Sequence, residues 1–409
     1  MTEILRALSA RETMLLKRPS SQSFVNSMRI KSKINLFENI ELVKNAIHKW
    51  KILHPFLQAN ISPKDNDKFY FEINSNNSAN KNLENVNLFY LNLDYKNLSK
   101  AHECEILNEI SSLWIEKEFS NLITEKDTLL WRLTFLSIKS DELNNEFTYE
   151  VVLFLNHTIS EGRNSSVIFF QLIDIISKLY NTENFSDLDK YKVFPSVEDF
   201  LIDYPKDLTG PVSSPILFRP KFLAHAKDTA FEMPEILKNY DFLNEKLVSI
   251  MNKDCVIELK DLLEISKRNC SKIKRLIIDK EKSLKLIQKC KQERVKVSSC
   301  LDLIVIISFK KLYRKYDLEL KDIVFYTSIC LRNLENSEDL QYLDDANMGF
   351  YVGGLLRIFK NNYDQNFEEI LKDFWKISKN MSDEFHSDLA QNKNKYCPKF
   401  KAWINPMKK

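Results

Sequence analysis

Glycine is what this sequence most lacks. There are five in 409 residues, where ordinary usage of about 7% would supply roughly 29. Glycine serves where the backbone takes a positive φ or passes close to another group. Such places are few here, and Gly162, Gly210, Gly349, Gly353 and Gly354 mark them. The shortage also excludes glycine-built phosphate cradles. No G-x-G-x-x-G, no G-x-x-x-x-G-K-[ST] and no G-x-S-x-G elbow occurs.

Paired cysteines are missing as well. The seven cysteines (Cys104, Cys255, Cys270, Cys290, Cys300, Cys330 and Cys397) are odd in number and form no CxxC pair. That argues against a metal site and a disulfide framework, and for a reduced, cytoplasmic setting. A surplus of one charge is absent: 60 Lys+Arg against 57 Asp+Glu leave +3, without the basic excess of a nucleic-acid binder. No apolar run reaches the length of a membrane span. The opening stretch MTEILRALSARETMLL has charges inside its apolar run, unlike a signal peptide. No long repeat is visible.

What is present is ample core material: 44% hydrophobic residues, with 27 Phe and 15 Tyr, which excludes whole-chain disorder. A chain of 409 residues is expected to form two domains of roughly 200 residues. Of eleven prolines, five (Pro195, Pro205, Pro211, Pro215 and Pro220) fall in one stretch that also holds Gly210. Proline fixes φ and removes a ladder donor. Residues 191–222 are therefore read as a crossover between subdomains 1–190 and 223–409. The Asn-rich stretch 74–82 reads as an exposed loop.

Helical spacing appears over 38–51, at Ile40, Val43, Ala46, Ile47 and Trp50, and His54-Pro55 stops it. Residues 56–61 and 69–73 read as short strands and 101–119 as a helix. Strong strands at 129–139 and 147–155, joined by SDELNNE, predict an antiparallel hairpin. An apolar helix over 165–180 follows. In the second half, 283–293 and 298–316 read as helices, the latter capped by Ser298 or Ser299. Lys310, Lys311, Arg314 and Lys315 at its end read as a solvated face that complements its dipole, with binding of a nucleotide phosphate as the alternative. Residues 323–331 read as a strand and 367–380 as an amphipathic helix. The fold class is α/β, mixed α+β.

Chemistry concentrates in LFLNHTISEGRNSSVIFF, residues 153–170. A buried strand ends at His157, and four residues later Glu161 and Gly162 open a helix. Histidine exchanges protons near neutral pH, and a strand end holds it rigidly at the edge of a cleft. Gly162 is expected to permit a tight turn and close approach of backbone to a ligand. Glu161 is expected to pair with an arginine, leaving Arg163 as the first solvent-side residue. The remaining histidines, His48, His54, His102, His225 and His386, have no comparable context.

At this point the chain resembles the HxxxD acyltransferases: chloramphenicol acetyltransferase, the carrier-protein condensation domains, the plant acyl-CoA acyltransferases and the fungal-type alcohol acetyltransferases. Their signature HHxxxDG is similar to Asn156-His157-Thr158-Ile159-Ser160-Glu161-Gly162. LHPFLQANI (53–61), LLWRLTFL (129–136), the helix over 297–312, SICLRNL (328–334) and NMGFYVGG (347–354) resemble further family elements in the same order. Asn156 replaces the first histidine and Glu161 replaces the aspartate.

The resemblance implies two chloramphenicol acetyltransferase-like subdomains with a tunnel between them. It implies transfer of an acyl group from acyl-CoA, as co-substrate, to a small alcohol or amine, with His157 as general base and no acyl-enzyme. No tightly bound cofactor and no metal is implied. Arg332 and Arg11 become candidate partners of Glu161. The Gly162 N–H and residues near Ser328 or Asn347 become candidate oxyanion donors, Ser328, Asn347, Gly349 and Gly353 become tunnel candidates, and Gly349, Gly353 and Gly354 a tunnel wall or a β-bulge. Two alternatives stand beside this reading: a free-standing condensation-type enzyme using an acyl carrier protein, and a non-catalytic binding protein that kept the fold.

Overall fold

A computed structural model of the protein describes residues 2–16, 23–64, 68–74, 86–92, 100–124, 129–139, 146–182, 191–196, 246–249, 256–268, 273, 275, 277–315, 323–332, 344–359 and 367–391. They fall into two compact units. The first holds β1 (Thr2–Ala7), α1 (Ala10–Leu16), β2 (Ser23–Ser32), α2 (Ile40–Leu53), β3 (Ala59–Lys64), β4 (Lys68–Asn74), β5 (Val86–Asn92), α3 (Lys100–Ser120), β6 (Trp131–Lys139), β7 (Phe147–Asn156), α4 (Gly162–Tyr180), β8 (Lys246–Ser249), β9 (Val256–Glu258) and α5 (Leu259–Arg268), together with residues 344–351. The second holds α6 (Lys280–Gln292), α7 (Val297–Lys315), β10 (Ile323–Cys330), β11 (Val352–Phe359), α8 (Phe367–Lys372) and α9 (Phe374–Gln391).

β7 is the backbone of the first unit. Its sequence FTYEVVLFLN is almost wholly apolar, as a strand covered on both faces must be. Tyr149, Val151, Leu153 and Leu155 join a core with Trp50 of α2 and Ile168 and Leu172 of α4. Val152, on the opposite face, packs with Ile110 and Trp114 of α3 and Leu262 of α5. The sheet runs β2-β7-β6-β5-β8-β9. The β6–β7 hairpin is antiparallel, with Trp131 opposite Leu155. β5 and β6 are parallel, which requires a crossover, and α3 lies between them in the chain. A smaller sheet, β1-β4-β3, packs Phe71 and Ile61 into the same core as α2.

Glu150 is the one charged residue of β7 and is fully buried. Arg29 lies 3.2 Å and Arg275 2.5 Å from its carboxylate. Arg275 also donates to Ser111 of α3 at 2.7 Å. This ion cluster ties residue 275, far along the chain, to β2, β7 and α3. A buried carboxylate is tolerated only when paired in this way.

In the second unit, Leu303 and Ile306 of α7 pack with Ile370, Ile377 and Met381. β10 and β11 form an antiparallel pair with Ser328 opposite Gly354.

Several expectations change. The boundaries 1–190, 191–222 and 223–409 do not match the units: β8 pairs with β5, so 246–249 completes the first unit's sheet. Residues 344–351 also belong to that unit. The strand expected over 56–61 begins as a 3-10 turn, Pro55–Leu57, because Pro55 presets φ for a turn; β3 starts only at Ala59. α7 begins at Val297, so Ser298 and Ser299 sit inside its first turn and not at the cap. The helix expected over 367–380 is two helices, α8 and α9. The crossover beyond residue 196, Gly210, residues 75–82 of the Asn-rich loop and residues 140–145 of the SDELNNE loop lie outside the described residues. Among the described residues no helix is long and apolar enough to cross a membrane.

Candidate active site

β7 delivers His157 at its end, and four residues, 158–161, separate it from α4. Asn156 makes that turn. Its amide donates to the Ile123 carbonyl at 3.0 Å, and its carbonyl oxygen accepts from the Thr158 N–H at 2.9 Å and the Thr158 hydroxyl at 2.8 Å. An asparagine that bonds the backbone two residues on is the usual device of an Asx-turn. Asn156 is completely buried, so its role is to shape the loop.

The His157 Nδ1 lies 3.3 Å from the Ser160 carbonyl oxygen. A carbonyl only accepts, so Nδ1 carries the proton and Nε2 holds the lone pair. Among the described residues Nε2 has no partner. The Phe24 ring stacks on the imidazole at 4.4 Å with 29° between planes, and Phe350 meets it edge-on at 5.8 Å. Burial among these rings pushes the pKa of His157 down to about 4, against the small opposing pull of the Ser160 carbonyl. The ring is neutral at neutral pH.

Glu161 is the N-cap of α4. Its carboxylate accepts from the Arg163 N–H at 2.9 Å and the Asn164 N–H at 3.3 Å. A negative cap offsets the positive end of the helix dipole, and the longer side chain in place of aspartate reaches these amides. Arg163 is exposed, as expected, and pairs with Asp345 at 2.6 Å. Arg332 is fully buried and belongs to the second unit. The Arg11 side chain lies outside the described residues.

Asn164 is the site residue that the motif did not reveal. It is completely buried. Its carbonyl oxygen accepts from the Ser160 hydroxyl at 2.6 Å, and its amide donates to the Asp345 carbonyl at 2.8 Å and the Asn347 carbonyl at 3.1 Å. It thereby ties the His157 loop to the 344–351 segment. The Asn347 side chain accepts from the Asp344 N–H and donates to the Lys192 carbonyl. That amide holds its loop. A clue was available: asparagine three residues after the helix-capping acid stands where a side chain can reach back to the turn.

The glycines divide. Gly162 has no positive φ, and a Cβ built there meets nothing within 4 Å. The turn does not need glycine, contrary to expectation, because Gly162 is simply the first helical residue. Gly349 does need it: φ is +141° and a Cβ would lie 2.5 Å from the Tyr351 ring. Gly353 and Gly354 lie on β11, opposite Ile329 and Ser328. Ser328, Gly353, Gly354 and Arg332 are in the second unit, whereas Asn347, whose carbonyl bonds Asn164 of α4, and Gly349 are in the first. Gly162→Ala is expected to raise stability by about 0.4–1 kcal/mol, by restricting the unfolded chain. Gly349→Ala is expected to lower it by about 1–3 kcal/mol, through backbone strain. Chemical denaturation of the two variants checks both signs.

His54 is a second buried imidazole. It bonds Gln171 at 2.9 Å and stacks on Tyr191 at 4.8 Å. Desolvation lowers its pKa to about 4. Both histidines therefore titrate below the unfolded value of about 6.5. The unfolded chain binds more protons between those values, so stability rises with pH there. This contribution is complete above pH about 6.5 and is lost as pH falls toward 4. The slope is about 1.4 kcal/mol per pH unit for each histidine. Unfolding free energy measured from pH 7.5 to 4.5 checks it, and His157→Ala should remove about half of the slope.

No protein-family model matches the sequence, and no curated protein matches it. Solved structures do. Polyketide synthase associated protein 5 from Mycobacterium tuberculosis aligns over 97% of this chain and 74% of its own, with 10% identity and a TM-score of 0.54. The first condensation domain of the CDA synthetase aligns over 95% and 77%, at 9% identity and TM-score 0.53. The condensation domain of the Monacolin K polyketide synthase aligns over 100% and 77%, at 12% identity and TM-score 0.52. At these identities the likeness is one of fold: the chain has a condensation-domain-like, chloramphenicol acetyltransferase-like architecture.

Proposed function

We propose that this chain, built on the condensation-domain fold, moves an acyl group from a thioester to the hydroxyl or amine of a small acceptor. His157 acts as general base. The observation that carries the reading is the imidazole at the end of β7, with Nδ1 held by the Ser160 carbonyl and Nε2 left without a partner among the described residues.

The acceptor oxygen or nitrogen attacks the thioester carbonyl carbon while Nε2 takes its proton. The tetrahedral intermediate collapses, the C–S bond breaks, and the leaving sulfur receives the proton from Nε2. The products are the acylated acceptor and a free thiol, and no acyl-enzyme forms. A pKa near 4 makes the ring fully available but only weakly basic. Proton uptake then has to accompany bond formation, since a free imidazolium is disfavoured in this setting. Proximity of the two bound substrates supplies much of the acceleration. The Gly162 N–H and Asn347 remain candidate donors to the oxyanion, and Arg11 a candidate partner of Glu161.

The donor is acyl-CoA in the first reading. The synthetase and polyketide-synthase settings of the structural neighbours favour a second, in which the thioester arrives on a carrier protein. The experiment offers acetyl-CoA and an acylated carrier protein in parallel, each with a panel of alcohols and amines, and follows thiol release. Acceptor-dependent release from acetyl-CoA supports the first reading, and release from the carrier alone supports the second. Release from neither, with no thioester binding by calorimetry, leaves a binding protein that kept the fold.

A further inference from the structure

We propose that Phe24 is the positioning residue of His157: held on β2, its ring fixes the plane of the imidazole and so the direction of the Nε2 lone pair. The inference rests on the reading of His157 as general base.

A single long hydrogen bond, 3.3 Å from Nδ1 to the Ser160 carbonyl, is the polar hold on the imidazole among the described residues. One bond of that length leaves the ring free to tilt about it. The flat contact with Phe24, at 4.4 Å and 29°, removes that freedom, and Phe350 adds an edge contact at 5.8 Å and 81°. Phe24 is itself held. β2 pairs with β7 from Ser23 opposite Asn156 to Ser32 opposite Phe147, with Phe24 opposite Leu155. Two residues on, and so on the same face, Asn26 donates to the Ser166 hydroxyl at 3.0 Å and the Ser165 hydroxyl at 3.3 Å on α4. β2 is thus fastened to both elements that flank His157. Unlike Phe71, Phe135 and Phe154, which are sealed in the core, Phe24 is only half-buried, like His157. It packs at the rim of the main core, so leucine, which keeps apolar volume, is the substitution that tests the ring.

The test compares Phe24→Leu, which keeps apolar volume without a ring, with Phe24→Tyr, which keeps the ring, and runs His157→Ala beside them. Acetyl-CoA is the donor, and histidine-labelled protein reports the ring nitrogens by NMR. Phe24→Leu is expected to lower kcat about 10- to 100-fold, the cost of a reacting group held loosely. KM for acetyl-CoA and the melting temperature should stay unchanged. The His157 nitrogen signals should move from a single Nδ1–H tautomer toward an averaged pair, and Phe24→Tyr should restore both readouts. Wild-type kcat and nitrogen signals in Phe24→Leu, beside an inactive His157→Ala, would overturn the role of Phe24 and leave the base intact. An unfolded Phe24→Leu protein would place the ring in the core and overturn it as well. Full activity in His157→Ala would instead remove the reading beneath it. If acetyl-CoA does not turn over, the nitrogen signals alone decide.

Discussion

His157→Ala is expected to lower acyl transfer by about two to four orders of magnitude, the usual contribution of a positioned general base, while the fold persists. The ring is half-buried, and its one described hydrogen bond is to the Ser160 carbonyl. Its loss opens no deep cavity and strands no charge. At neutral pH stability should stay close to wild type, because the histidine is already uncharged there. Activity and melting temperature therefore separate in this variant. Steady-state rates beside a thermal melt measure both, and a parallel collapse of the two would assign His157 to structure.

Asn164→Ala should behave in the opposite way, with stability as the main loss. The variant leaves the Ser160 hydroxyl and the Asp345 and Asn347 carbonyls without the amide that joins them. Each buried polar group left unpaired costs about 1–3 kcal/mol, so a total of about 3–5 kcal/mol is expected. Asn164→Asp should be as severe at neutral pH, because a carboxylate would face two carbonyl oxygens that only accept. It should recover in part as pH falls and the carboxyl gains a proton to donate. Denaturant midpoints for both variants at pH 7.5 and 5 test the pair. The direction of the Asp variant is measured against the acid loss of the two histidines, which Asn164→Ala shares.

These two outcomes also show what the sequence could and could not reveal. The β6–β7 hairpin and α4 were legible because each is long and its pattern is local: LLWRLTFL and FTYEVVLFL read as strands, and α4 repeats its apolar residues at helical spacing. β2 was missed because SFVNSMRIKS mixes polar and apolar residues along a sheet edge, where only one neighbour strand constrains it. β8 and β9, of four and three residues, are too short for any periodicity to show. Their pairing with β5 is a non-local fact, and it is why a division by chain halves fails.

The site followed the same rule. His157, Glu161 and Gly162 lie within six consecutive residues of one motif. Phe24 comes from 133 residues earlier and Phe350 from 193 later, and no local pattern joins them. Glu161 was expected to pair with an arginine; its described bonds are to the amides of its own helix, an arrangement a capping rule could have supplied. Glycine scarcity was informative at Gly349, where φ is positive, and uninformative at Gly162, where a Cβ meets nothing within 4 Å.

The central claim is direct transfer in a ternary complex, with His157 moving the proton. A single-turnover experiment with excess enzyme over acetyl-CoA, and a responsive acceptor from the panel, tests it most directly. Thiol, acylated acceptor and intact protein mass are read from the same quenched samples. The predicted result is one thiol released for each acceptor acylated, no acyl mass on the protein at any time, and both products formed about two to four orders of magnitude more slowly with His157→Ala. An acyl adduct on the wild-type protein that forms and decays with turnover, or equal thiol release by His157→Ala, would contradict it.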